Sequence, residues 1–584
     1  MLVGIAAGSR REAGVTEAEL GPAAREHSWR RLGEETFDLV VVGGGVVGAG
    51  TALDAATRGL RVALVEARDL ASGTSSRSSK LFHGGLRYLE QLEFGLVREA
   101  LRERELMLTR LAPHLVKPVS FLYPLTHRVW ERPYTAAGLF LYDTMGGARS
   151  VPGQKHLTRA GALRMVPALK RDSLIGGIRY YDAQSDDARH TMTVARTAAH
   201  YGAVVRTSTQ VVEFLREADR VSGVRVRDVE DGRETQIHAN AVINCTGVWT
   251  DELQRLSGSR GRFRVQASKG VHIVVPRDRI VSESGLILRT EKSVLFVIPW
   301  RNHWIVGTTD TEWNLDLAHP AATEHDIDYI LEHVNSVLAT PLKHEDIEGV
   351  YAGLRPLLAG ESEETSKLSR EHAVARVAPG LVAIAGGKYT TYRVMAADAV
   401  DAAAVDLPVR AQPSITDKVP LLGADGYHAL VNQADHLAAQ HGLHPYRVRH
   451  LLDRYGSLVH EVLALAEGKP ELLRPIEHAP DYLAVEAVYA VSHEGALHLE
   501  DVLARRTRIS IEYPHRGVDC ALQVAMLMAQ VLGWSDETVT HEVEVYNARV
   551  AAERDSQTQP SDEAADARRA SAPEARARLT EPVG

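Results

Sequence analysis

A chain of 584 residues exceeds what one hydrophobic core organises and reads as roughly three or four units. Its 45% apolar and 24% charged residues suit globular domains, and the formal net charge of −9 excludes a global basic field for nucleic acid or an anionic membrane. Cys245 and Cys520 stand too far apart for a disulfide framework or a metal motif, which implies a reducing cytoplasm and no metal.

Residues 1–36 have no clear period and read as a mobile tail. FDLVVVG, Phe37 to Gly43, is a short Val-rich run fit for a strand buried on both faces. A glycine turn, a helical pattern from Val46 to Arg58 and a second buried run, Arg61 to Glu66, complete a βαβ start. The apolar stretch Leu39 to Ala56 contains five glycines and Asp54, so it makes a poor transmembrane helix. Gln210 to Gly247 reads as a three-strand meander ending in a glycine turn. Val271–Pro276, Leu295–Pro299 and Trp304–Gly307 read as strands of a separate antiparallel sheet. Leu381 to Val400 is again strand, glycine turn, helix. The polar RAQPSITD precedes a mostly helical stretch from about Pro413 to Asn547. From about Ala552 large apolar residues almost vanish, so the end is expected to be disordered.

These elements give an α/β chain: a Rossmann-like dinucleotide-binding domain (37–118, 180–264 and 346–408), an antiparallel-sheet cap (119–179 and 265–345), a C-terminal all-helical domain (413–548) and a disordered tail (552–584). Gly43, Gly45 and Gly48 form GxGxxG between strand and helix, permitting the tight turn, the close approach of a pyrophosphate and close helix–strand packing. Glu66, ending the second strand, suits the ribose hydroxyls. The later glycine junctions INCTGVWTDEL and GGKYTTY favour FAD over NAD, because a long dinucleotide touches several strand-end loops. SGTSSRSSKLFHGGLRYLE, Ser72 to Glu90, is dense in small and hydroxyl residues, with Arg77, Lys80, His83 and Arg87 among them, and suits a backbone lying against a ring system.

The segments GGGVVGAG, SSKLFHGGLRYLE, FVIPW with VGTTD, AGLRPL and GGKYTTYR resemble, in order, the FAD-dependent glycerol-3-phosphate dehydrogenases of the D-amino-acid-oxidase-like flavoproteins. The resemblance implies oxidation of sn-glycerol 3-phosphate to dihydroxyacetone phosphate. Hydride goes to FAD and electrons go on to a membrane quinone, reached by peripheral contact with the inner face of the cell membrane. It implies FAD contacts at Gly43, Gly45, Gly48, Glu66, Ser75, Ser78, Ser79, Lys80, Leu81, His83, Gly84, Gly85, Val212, Gly247, His272, Gly387, Lys388 and Thr390. Arg87, Tyr88, Arg355, Arg370, Lys388 and Thr390 would hold the substrate, since a phosphate dianion in a cleft needs charge-assisted hydrogen bonds. His83, Arg87 and Lys388 would act in catalysis, His83 as general base with His272 as its competitor. Asp310 and Trp300 are given no chemistry. His127 to Ser150 mixes aromatic and Arg residues as an interfacial helix would. A homodimer is expected, with the C-terminal unit one candidate for the interface. An oxidase reducing dioxygen and an FAD-dependent amine or amino-acid oxidoreductase remain open alternatives.

Overall fold

The computed structural model describes residues 18–85, 93–126, 138, 150–258, 263–290, 294–359 and 372–580. The strands are β1 (Thr36–Val42), β2 (Val62–Val65), β3 (Leu81–Phe82), β4 (Lys117–Leu125), β5 (Lys155–Thr158) and β6 (Gly176–Gln184). They continue with β7 (Val204–Arg206), β8 (Thr209–Glu217), β9 (Arg220–Asp228), β10 (Glu234–Asn244), β11 (Val265–Pro276) and β12 (Gly285–Arg289). β13 (Val294–Trp300), β14 (His303–Gly307), β15 (Thr311–Trp313), β16 (Gly349–Leu358), β17 (His372–Ala378) and β18 (Leu381–Gly386) complete the two large sheets.

The first sheet runs β17-β18-β10-β1-β2-β7, with β9 and β8 carried on β10. β1 is buried from Phe37 to Val42 and pairs in parallel with both β2 and β10. Val42 lies opposite Asn244, and Asn244 opposite Ala383 of β18. The carboxyl ends of three parallel neighbours therefore sit side by side, each followed by a glycine turn, where an open α/β sheet binds ligands. Helices Val46–Thr57 and Tyr392–Ala403 pack on this sheet through Ala49, Leu53, Met395 and Ala399.

The second sheet runs β15-β11-β14-β13-β12-β4-β6-β3, with β16 on β11 and β5 on β6. It is mostly antiparallel, although β12 and β4 run parallel. The antiparallel β11–β16 pair sets Ser268 opposite Arg355 and His272 opposite Tyr351. The C-terminal region is helical apart from a hairpin of β19 (Pro475–Ile476) and β20 (Ala479–Leu483). No helix among the described residues is long and apolar enough to cross a membrane.

Both ends of the chain differ from expectation. From residue 18 onward the first stretch is not a loose tail: Pro22–Glu34 is a helix whose Trp29 and Leu32 enter the core beside Phe37 and Val40. The guanidinium of Arg206 lies 4.7 Å from the Trp29 ring centroid. Two apolar residues three apart suffice for one buried stripe, too faint a period to stand out in sequence. At the other end, helix Asp536–Ser556 runs through 552 and helix Asp562–Ala570 follows it. Ala565 is fully buried, Arg68 pairs with Glu574 at 3.0 Å, and Arg576 with Asp501 at 2.9 Å. Composition measures the apolar surface a segment can bury; this one is held largely by ion pairs to distant partners.

Candidate functional site

One cavity of about 880 Å³ extends from the glycine turn after β1 to Arg355 on β16. Gly43 and Gly45 line its first end. Gly43 has φ +110°, and a Cβ there would stand 2.7 Å from the Cys245 carbonyl oxygen. A Cβ at Gly48 would meet the Gly43 carbonyl oxygen at 1.8 Å, so this third glycine brings helix against strand and does not face the cavity. Glu66 lines the same end, its two oxygens accepting the N–H of Gly44 (2.5 Å) and of Arg68 (2.7 Å). Burial raises its pKa, and those two amides oppose the rise. A carboxylate so tied retains lone pairs for a ligand hydroxyl.

The loop after β2 carries the next wall. Ser75 Oγ accepts the N–H of Val46, Thr74 donates to the Leu354 carbonyl at 2.6 Å, and Ser78 gives both its N–H and hydroxyl to Asp187. Ser79 meets His272 Nε2 at 2.9 Å, and the His272 ring stacks on Tyr351 with centroids 4.7 Å apart. Burial holds His272 well below the usual histidine range, so it is neutral. Ser75, Ser78, Ser79, Leu81, His83, Gly85, Gly247, His272, Gly387, Lys388 and Thr390 all line the cavity.

Lys80, Gly84 and Val212 do not. Lys80 turns the other way, with φ +58°, and its ammonium is buried on Asp187 at 2.8 Å and on the Ser76 carbonyl, 4.9 Å from the Tyr351 ring centroid. Its partner stands on a helix more than a hundred residues away, which no local motif reveals. At β8 a bulge follows Val211, and it is Val211 that lines the cavity while Val212 is buried in the protein.

The far end is made of side chains. Arg355 donates to the Thr308 hydroxyl at 3.1 Å and the Thr309 carbonyl at 3.2 Å, and lies 3.4 Å from Asp310. Its guanidinium passes over Gly270, where a Cβ would come within 2.6 Å of Nη2. Lys388 follows Gly386 and Gly387, with φ +77° and +79°. Thr390 accepts the His83 N–H at 3.2 Å and donates to the His83 carbonyl at 3.3 Å, fixing the backbone that presents the imidazole. Arg355, Lys388, His83 and Thr390 thus meet in one cavity with the glycine turn. Arg87, Tyr88 and Arg370 lie outside the described residues, as does all of His127 to Ser150 except Gly138 and Ser150.

Thr308 and Asp310 also line this end, and Arg289, Tyr180 and Asp182 line the cavity, none of them expected to. Asp310 had a signal in GTTD but no assigned chemistry. The glycine of KGVHIVVP, inside a strand, was the usable clue to a close approach. The positive-φ turns, the cradle that Cβ atoms would fill and the acidic side chain at the end of β2 fit a dinucleotide.

Residues 38–393 match the family described as FAD dependent oxidoreductase, and residues 414–539 match the C-terminal domain of alpha-glycerophosphate oxidase. A glycerol-3-phosphate dehydrogenase of Mycobacterium leprae is 74% identical over 97% of this chain and 96% of its own length. The mitochondrial glycerol-3-phosphate dehydrogenase of Homo sapiens is 37% identical over 86% of this chain and 71% of its own. The X-ray structure of the glycerol-3-phosphate dehydrogenase from Bacillus halodurans complexed with FAD superposes with a TM-score of 0.75 at 30% identity, covering 91% of this chain and 98% of that one.

Proposed function

We propose, from the premise that this chain belongs to the FAD dependent oxidoreductases and within them to the glycerol-3-phosphate dehydrogenases, that it oxidises sn-glycerol 3-phosphate to dihydroxyacetone phosphate and passes the electrons to a membrane quinone. One observation carries the reading: Arg355, Lys388 and His83 line the same cavity as Gly43 and Gly45.

Gly43, Gly45, Ser75, Glu66, Gly247 and Gly387 would hold FAD, which when bound supplies the acceptor for the hydride. Arg355 offers a planar fork to the phosphate, and its orientation is fixed by Thr308, Thr309 and Asp310. Lys388 adds a second positive charge. An imidazole nitrogen of His83 takes the proton of the carbon-2 hydroxyl, the general-base role that a histidine ring can fill. Thr390 keeps that ring in place through the His83 backbone. His272, buried, neutral and engaged by Ser79, positions the loop.

The test is anaerobic. Glycerol 3-phosphate should bleach the visible flavin band of the holoenzyme, while glycerol and amino acids leave it intact. Absence of bleaching by glycerol 3-phosphate, or bleaching by an amino acid, contradicts the substrate. A soluble quinone should then restore the band faster than air does; rapid reoxidation in air with peroxide release would contradict the acceptor.

A further inference from the structure

A second cavity, of about 100 Å³, lies behind the Ser72–Ser79 loop, between β16 and helices Asp536–Ser556 and Asp562–Ala570. A water needs roughly 10–15 Å³ of such space, so there is room for several waters or one small polyatomic ion. Its walls carry six arginines and two glutamates.

Three of those arginines are matched by carboxylates. Arg505 meets Asp69 at 2.6 Å, Arg508 meets Asp186 at 2.6 Å, and Arg549 meets Glu500 at 3.0 Å. The remaining three are not. Arg516 and Arg569 share Glu553, at 3.4 and 3.9 Å. Arg77 donates to the Ala318 carbonyl at 2.8 Å and makes no ion pair with any described residue. The three guanidinium groups therefore have Glu553 at loose distances, and Glu500 nearby only as a carboxylate already paired with Arg505 and Arg549. Burial pushes Arg77 down to about 10, Glu500 opposing the fall and Arg569, Arg505 and Arg549 adding to it, and burial lowers Arg516 and Arg569 as well, against the pull of Glu553. Guanidinium groups keep their charge at neutral pH. Uncompensated charge held out of water is costly unless a counter-ion joins it.

We propose that this cavity is a binding site for a tetrahedral oxyanion of the phosphate class, held by Arg77, Arg516 and Arg569. Arginine forks match such oxygens two at a time. The three come from separate parts of the chain: Arg77 from the loop that also lines the main cavity, Arg516 from the segment after helix Ile509–Glu512, and Arg569 from the last long helix. A bound oxyanion fastens the C-terminal helix to the loop behind the main site.

The experiment melts the holoenzyme in sodium sulfate and in sodium chloride of equal ionic strength, as wild type, Arg569→Gln, Arg516→Gln and Arg355→Gln. Sulfate should raise Tm saturably by roughly 2–4 °C in the wild type. The rise should persist in Arg355→Gln, whose main cavity has lost a phosphate partner, and disappear in Arg569→Gln and Arg516→Gln. A rise that follows ionic strength alone, or that vanishes in Arg355→Gln and survives in Arg569→Gln, overturns the proposal. Should the Arg569 and Arg516 variants not fold, equilibrium dialysis of the Arg355→Gln, Lys388→Gln double variant against labelled inorganic phosphate decides: one saturable site supports the proposal, and no site refutes it. Repeating the melts of Arg355→Gln with a sugar phosphate distinguishes the two sources, since a rise there means a phosphoryl group on a metabolite and its absence means the free ion; both support the oxyanion chemistry.

Discussion

The two ends of the main cavity are made of different material. At the dinucleotide end the recognising groups are largely backbone: the turn at Gly43 and Gly45, and amides already organised by Glu66 and Ser75. At the substrate end they are side chains, Arg355, Lys388 and His83, delivered by three distant segments and held by Thr308, Asp310 and Thr390. A backbone site fails when bulk is added, because neither a strand nor a helix can step aside. A side-chain site fails by degrees as charge or hydrogen bonds are removed, leaving the fold around it.

The sharpest way to break that contrast is Gly48→Ala. Its Cβ would lie 1.8 Å from a backbone oxygen, so helix Val46–Thr57 must separate from β1. We expect purified protein without FAD, read from its absorbance; a yellow, folded variant would show that the turn is softer than its geometry implies. Next comes Lys80→Met. Lys80 lies beside the site in sequence but pairs with buried Asp187, so its loss should cost about 3 kcal/mol of stability in a denaturant titration, with KM for glycerol 3-phosphate unchanged. A raised KM at unaltered stability would return Lys80 to the cavity.

Away from the cavity lining, a buried clamp between the C-terminal region and the turn after β9 titrates. His498 is held between Glu542 at 2.8 Å and Glu230 at 3.1 Å, and these carboxylates push it up to about 9 against the cost of burial. A histidine raised above its unfolded value of about 6.5 contributes its full stability below that pH and loses it as the pH climbs through the folded value. Unfolding free energy should therefore fall by on the order of 3 kcal/mol between pH 6.5 and 9, and His498→Gln should flatten the slope. The smallest effect belongs to Thr390→Val, which removes two bonds to the His83 backbone. We expect a kcat lower by about five- to ten-fold, near 1 kcal/mol, with FAD retained.

The same contrast explains what the sequence made legible. The glycine turn is a local event, so Gly43, Gly45 and Gly48 with two flanking Val-rich runs were sufficient to place it; β10 and β18 were legible as strands ending in glycine turns, but their parallel pairing beside β1 is a tertiary fact. Arg355, Lys388 and Thr390 were reached through motif resemblance, and the cavity unites them. What stayed hidden depends on partners far along the chain. Lys80 reads as a site cation until Asp187 is beside it, and Asp310 reads as a structural acid until Arg355 is beside it. The first segment lacks a clear period and the last offers little apolar surface, so both read as loose, while Arg25 on Asp228 and Arg576 on Asp501 hold them down. At β8 the cavity is lined by Val211, beside a bulge, and not by its neighbour Val212; a resemblance carries a position over without the local register.

The most direct test compares kcat/KM for glycerol 3-phosphate with that for glycerol in the wild type and in Arg355→Gln. If Arg355 holds the phosphate, the ratio should fall by about 10- to 100-fold, with glycerol turnover and FAD content unchanged. An unchanged ratio would mean that the phosphate is bound elsewhere and that the cations at the far end of the cavity serve the fold alone.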